Sequence, residues 1–260
     1  MGAVPIRKTN NVIQLSILDG KLSKKQEVGD NFGGNTNKRP PNKVSGKSSE
    51  VYPFVSEKEI KAMVDMFNRH INNAKNDNQR MIACRNKMLF LVGINLGIRA
   101  SDLCELKYSF FMNEDGTFKD FYSLQPKKTK KTGKFVKLYF NETVKKAIAE
   151  YITDYPVDDL NEYLFKSREG DSHITSIHLG KIIKDTAKEV GIDRNICSHS
   201  LRKTFGYHIW HNADDKEKAL IILQTIFNHS SPMMTKKYIG LMDDEIEDVF
   251  QDLNLGGEFI

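Results

Sequence analysis

Asn228-His229-Ser230-Ser231-Pro232-Met233-Met234-Thr235-Lys236-Lys237-Tyr238-Ile239-Gly240 sets a histidine nine residues ahead of a tyrosine. Ser231 suits a helix N-cap, because its hydroxyl can accept from an unpaired first-turn amide, and Pro232 suits the first turn, where no amide is needed. The pattern predicts a short helix over Pro232 to Tyr238, with Gly240 close behind. Just upstream, Lys216 to Phe227 reads as a helix, and before it Ser198 to about Trp210 as another, opening on Ser198-His199-Ser200-Leu201-Arg202. His199 and Arg202, at i and i+3, share a helical face and can converge on one ligand.

Farther upstream, Leu179, Ile183 and Ala187 share a face of a helix predicted over Ile177 to Val190, which Gly191 ends. Another is predicted over Thr143 to Ile152. Ser56 with Glu59 makes a capping-box pattern ahead of Ile60, Met63, Val64 and Phe67 at helical spacing. A second helix is predicted from about Arg80 to Leu96, with Gly97 as its stop, Arg99 just past the break and a short helix over Ser101 to Leu106. Between these groups, Phe110 to Met112, an Asp115-Gly116 turn, Phe118 to Leu124, a Lys-rich turn with Gly133, and the alternating Phe135 to Phe140 predict three antiparallel strands. The fold class expected is α+β, mainly α, with a small three-stranded antiparallel sheet. Downstream, Asp243 to Leu253 would carry Ile246, Val249, Phe250 and Leu253 on one face of an otherwise acidic helix.

The apolar run Met88 to Ile98 falls far short of the roughly 20 residues that span a bilayer, and no charged-then-apolar leader opens the sequence. Cys84, Cys104 and Cys197 are an odd set without metal-type spacing and fit a reducing cytoplasm. The formal charge of +5 is uneven: residues 1 to 50 hold nine Lys or Arg against four Asp or Glu, so the remainder is neutral overall. Those residues, rich in Lys, Asn, Gly and Ser, predict a flexible basic arm. Within the remainder, Lys127 to Lys137 is basic, and a run of this kind reads either as a solvated face or as a phosphate-binding surface.

Three segments, Leu96-Gly97-Ile98-Arg99, Ser198-His199-Ser200-Leu201-Arg202 and Asn228 to Tyr238, offer groups suited to a phosphodiester. Attack on phosphorus puts extra negative charge on the nonbridging oxygens, and two planar, permanently protonated guanidiniums, Arg99 and Arg202, can hold it. Taken singly, each has a plainer reading: an exposed turn arginine, a solvated arginine on a capped helix, a packing tyrosine. As an ordered set over about Val51 to Leu253, with a Lys-bearing hairpin between the first and second segments, the sequence resembles the tyrosine site-specific recombinases of the phage-integrase family.

That resemblance implies Tyr238 as nucleophile, His229 as donor to a nonbridging oxygen, and His199 as acceptor of the nucleophile's proton. It implies a hairpin lysine as general acid for the leaving 5′ oxygen, Lys128 or alternatively Lys131. Lys127, Lys130, Lys134 and Lys203 would contact phosphates in a salt-sensitive way. Neither metal nor other cofactor is implied; the partners are double-stranded DNA and a homotetramer on paired sites, away from membranes. The domains expected are a basic arm over 1–50 without a complete core-binding domain, a catalytic domain over 51–240 and an exchanging helix over 241–260. Asp102 stands where the family commonly has Glu, Lys203 follows the second arginine, and Asn228 replaces the glycine that usually precedes His229. A catalytically silent DNA-binding accessory protein and a type IB topoisomerase-like relaxing enzyme are the alternatives.

Overall fold

A computed structural model of the chain describes residues 50–128, 133, 135–168, 170–241, 250 and 253. In chain order the elements are α1 (Glu57–Asn72), α2 (Asp77–Leu96), α3 (Ala100–Cys104), α4 (Tyr108–Phe111), β1 (Phe121–Leu124), β2 (Val136–Tyr139), α5 (Glu142–Asp154), α6 (Ser176–Glu189), α7 (Ser198–His211), α8 (Lys216–Phe227) and α9 (Pro232–Ile239). The chain is mainly helical, with one small antiparallel sheet.

Polar caps set the helix starts. Ser56 Oγ accepts from Glu59 N at 3.2 Å, while the Glu59 carboxylate accepts from Val55 N at 2.9 Å, one residue before the cap rather than at it. Asn76 caps α2 by accepting from Gln79 N at 2.9 Å, which starts that helix at Asp77 instead of Arg80. Central in the fold, α2 buries Met88, Leu89, Phe90, Val92 and Leu96. Residues of α1, α5, α6 and the inner face of the sheet complete one core with it. A second, smaller core joins Leu223, Phe227, Ile239 and Leu241 with Phe205, Ile209, Trp210 and Tyr238. Leu201 of α7 belongs to the first core and Phe205, one turn on, packs on the second. On α7, a Cβ added to Gly206 would stand 2.7 Å from Ile239 and 2.9 Å from Phe227, so glycine there lets the C-terminal helices close in.

Among the described residues the sheet has two strands, not three. β1 and β2 pair from Phe121↔Tyr139 to Leu124↔Val136, and the expected first strand is the helical turn α4, which meets the Phe118 segment through the Met112↔Phe118 bridge, Lys119 N donating to Phe111 O at 2.8 Å, and the Phe110–Tyr122 ring stack. Its amides go elsewhere: Tyr108 N donates to Glu162 O at 3.3 Å and Ser109 N to Leu160 O at 2.7 Å. An apolar run this short carries no period that separates strand from helix.

The segment ahead of α1 runs along α7. Phe54 N donates to Thr204 Oγ1 at 2.9 Å, His208 Nε2 donates to Phe54 O at 2.9 Å, and Arg194 grips the Glu59 carboxylate at 2.6 and 2.7 Å. Most of the helix expected downstream of Gly240, including Ile246 and Val249, lies outside the described residues; Phe250 and Leu253 are exposed. Among the described residues no helix is long and apolar enough to cross a membrane.

Gly97 ends α2 at φ 60, and a Cβ there would fall 2.2 Å from the Phe205 ring. Gly97→Ala combines left-handed strain with overpacking and should cost about 2 to 4 kcal/mol. Gly170→Ala, at φ 68 with open space around it, carries the strain alone. Melting curves of the two variants check this, and equal losses would contradict the packing account.

Candidate active site

Arg202 organises the site. It is almost fully buried on the second turn of α7, where Nη1 donates to Gly97 O at 2.6 Å and Nη2 to Phe227 O at 3.1 Å. Those carbonyls stand at the C-terminal ends of α2 and α8, where helix dipoles leave partial negative charge. Both ends turn through the left-handed region, at Gly97 and at Asn228 with φ 51, the one non-glycine positive φ among the described residues. Asparagine tolerates that conformation, so the replacement of glycine before His229 keeps the backbone turn. The guanidinium also lies 4.2 Å from the centre of the Phe227 ring.

Arg99, Arg202 and His229 line one cavity of about 450 Å³, together with Asp102, Phe135, Gln224 and Asn228. Arg99 is half-buried at the N-cap position of α3. Among the described residues neither arginine has a carboxylate ion-pair partner. Burial, with the nearby Arg99 charge, brings Arg202 down to about 10 against the pull of Tyr238, so it stays cationic at neutral pH. A cavity edged by two unneutralised guanidiniums suits an anion.

Tyr238 is presented from the last turn of α9 with its hydroxyl beside Arg202. Burial pushes that hydroxyl up, and Arg202 and Arg99 pull it down without offsetting the burial, so the resting phenol is protonated. Its ring stands edge-on to His229, centres 5.1 Å apart. His229 Nδ1 lies 3.0 Å from the hydroxyl of the buried Thr235. Burial first, then Arg202 and Arg99, take His229 down to about 4. His199 is lowered too, by desolvation and then by Arg202 and Lys203, although its side chain is exposed at the start of α7; it lies outside the set that lines the cavity.

The lysines divide. Lys203, expected to contact phosphate, is buried, with Nζ 5.6 Å from the centre of the Tyr238 ring and 3.8 Å from the Glu50 carboxylate. Lys127 pairs with Glu105, and its amide donates to the buried Asp102 at 3.0 Å, which pins the start of the hairpin beside the Arg99 turn. Lys128 is exposed at that hairpin. Lys130, Lys131 and Lys134 lie outside the described residues. Sequence reading missed Asp102 as a positioning group, although its place three residues after Arg99 on a short helix was a usable signal. It also missed Thr235 and the two carbonyls that hold Arg202.

Two predictions follow from this arrangement. Arg99→Lys should leave the melting temperature nearly unchanged, whereas Arg202→Lys leaves a buried carbonyl unpaired and should cost about 1 to 3 kcal/mol; equal thermal shifts would contradict it. Because the folded protein holds His229 near 4, below an unfolded value of about 6.5, the stability this group contributes is present above pH 6.5 and is lost as pH falls toward 4. An NMR titration of the His229 ring should find its midpoint near 4, and a midpoint above 6 would refute the desolvated placement.

A sequence profile of the phage integrase family matches residues 53–245. The chain is 38% identical over 160 residues to the probable integrase/recombinase YoeC of Bacillus subtilis strain 168, covering 62% of this chain and 80% of that protein. Among solved structures it resembles the XerA recombinase with a TM-score of 0.55 and 23% identity, over 82% of this chain and 66% of the other. It also resembles the XerH site-specific recombinase in a post-cleavage complex with its palindromic difH substrate, with a TM-score of 0.55 and 18% identity, over 78% of this chain and 54% of the other. With the profile spanning most of its length and YoeC matched over four fifths of its own, this chain belongs to the phage integrase family.

Proposed function

We propose that this protein is a site-specific DNA recombinase that cuts and rejoins strands through a 3′-phosphotyrosyl intermediate on Tyr238. The observation that carries the reading is the cavity edged by Arg99, Arg202 and His229 with Tyr238 beside Arg202. A phosphodiester seated there sets its nonbridging oxygens against both guanidiniums and the His229 ring. The Tyr238 oxygen attacks phosphorus, its proton passes to His199, and the bond to the 5′ oxygen breaks. That oxygen takes a proton from the hairpin lysine, Lys128 or Lys131.

Neutral His199 suits proton acceptance, and Arg202 favours the phenolate as it forms. The phosphotyrosine conserves the bond energy, so a 5′ hydroxyl from a partner strand reverses the step and exchanges strands. No step draws on a metal or nucleotide. Double-stranded DNA is the substrate and four copies act on paired sites. Residues 1–50 serve as a basic arm, 51–240 as the catalytic domain and 241–260 as a helix exchanged between copies.

Tyr238→Phe should bind site DNA as the parent does and fail to form an SDS-stable protein–DNA adduct on nicked or otherwise trapped DNA. The parent should form that adduct undiminished in excess EDTA. An adduct surviving in Tyr238→Phe would refute the nucleophile, and a strict Mg²⁺ requirement the mechanism.

A further inference from the structure

We infer that Thr235 is a positioning residue, whose hydroxyl donates to His229 Nδ1 and thereby leaves the ring proton on Nε2, the nitrogen available to the cavity. This deepens the recombinase reading and rests on it for its consequence, though the hydrogen bond itself does not.

The Thr235 hydroxyl has one proton and two acceptors in reach. Ser231 O, one helical turn back, is 3.4 Å away, outside the usual range for a hydroxyl donor, and already accepts from Thr235 N at 3.3 Å. His229 Nδ1 is 3.0 Å away. The nearer contact takes the proton provided Nδ1 carries none of its own. A neutral ring meets that condition in its Nε2–H tautomer, and desolvation of His229 beside two guanidiniums keeps the ring neutral. The Nδ1–H tautomer would send the Thr235 proton to the longer 3.4 Å contact with Ser231 O, so the distances favour the bare Nδ1.

Thr235 is fully buried, so no water competes for its hydroxyl. The His229 backbone is fixed from the other side, its amide donating to Gln224 O at 3.0 Å and its carbonyl accepting from Gln224 Nε2 at 3.3 Å. With its backbone held by Gln224 and its Nδ1 by Thr235, the ring is fixed in orientation, and the Thr235 contact is what favours one tautomer. His229 then meets a phosphate oxygen as a neutral N–H donor, aligned before the substrate arrives. The opposite tautomer would turn a bare nitrogen lone pair toward an anion, which repels it. Thr235 shares α9 with Tyr238, so the helix that presents the nucleophile also orients this donor.

The test uses the full chain as wild type, Thr235→Val and Thr235→Ser, with ring ¹⁵N NMR to assign the His229 tautomer and single-turnover cleavage of site DNA. Wild type should show Nε2 protonated and a hydrogen-bonded Nδ1. Thr235→Val should lose the Nδ1 hydrogen-bond shift and cleave about tenfold more slowly, a fraction of what losing a whole donor costs. Thr235→Ser should restore both.

In a His229→Ala background, Thr235→Val should slow the residual cleavage no further, which separates positioning from general packing damage. A proton on Nδ1 in wild type overturns the inference whatever the activity, and so does an equal loss from Thr235→Val with and without His229. If wild type shows the Nε2 tautomer but forms no covalent adduct with any DNA, the recombinase reading fails while the tautomer assignment stands.

Discussion

A single buried guanidinium joins the two cores of this fold. Arg202 reaches across 105 residues to the end of α2 and across 25 to the end of α8, and both contacts are backbone carbonyls at helix C-termini. Burying a cation without a carboxylate is costly, and aligned carbonyl dipoles offset that cost without neutralising the charge. The consequence is a positive site that stays open to an anion. Gly97 and Asn228 matter for the same reason, because their left-handed turns end both helices where the carbonyls meet Arg202.

The other groups take their character from that charge. Beside it the His229 imidazole is held neutral, and the Tyr238 hydroxyl, raised by burial, is a group whose ionised form Arg202 favours. In the proposed reaction this asymmetry has a use: the resting tyrosine is unreactive, and positive charge is in place where phenolate and phosphorane charge develop. Asp102 contributes indirectly, by fixing the base of the lysine hairpin through the Lys127 amide beside the Arg99 turn.

Much of this was legible in sequence where the signal is local. The helices were readable from apolar spacing with Ser56, Ser231, Pro232 and Gly97 as stops and starts, and the ordered arginine, histidine and tyrosine segments named the residues that gather beside Arg202. What depends on rotation or distant pairing was not legible. Phe110 and Phe111 could have paired as a strand, but the Phe110 amide closes a helical turn on Lys107 O, and the Tyr108 and Ser109 amides just before it are taken by the carbonyls of residues 162 and 160. Lys203 reads in sequence as a surface lysine, and α7 turns it inward toward Tyr238 and Glu50. Lys127 is indistinguishable in sequence from its neighbours in the basic run, yet Glu105 engages it. The chemistry-bearing types were visible, and the groups that orient them were not.

The central claim is that the Arg202 cavity receives a phosphodiester and aims it at Tyr238. A crystal structure of the protein with a DNA half-site and orthovanadate tests it most directly, because vanadate adopts the five-coordinate geometry of phosphoryl transfer. The account predicts vanadium bonded to the Tyr238 oxygen, with equatorial oxygens accepting from Arg99, Arg202 and His229 Nε2. Vanadate bound elsewhere, or in that cavity with Tyr238 turned away, would contradict it.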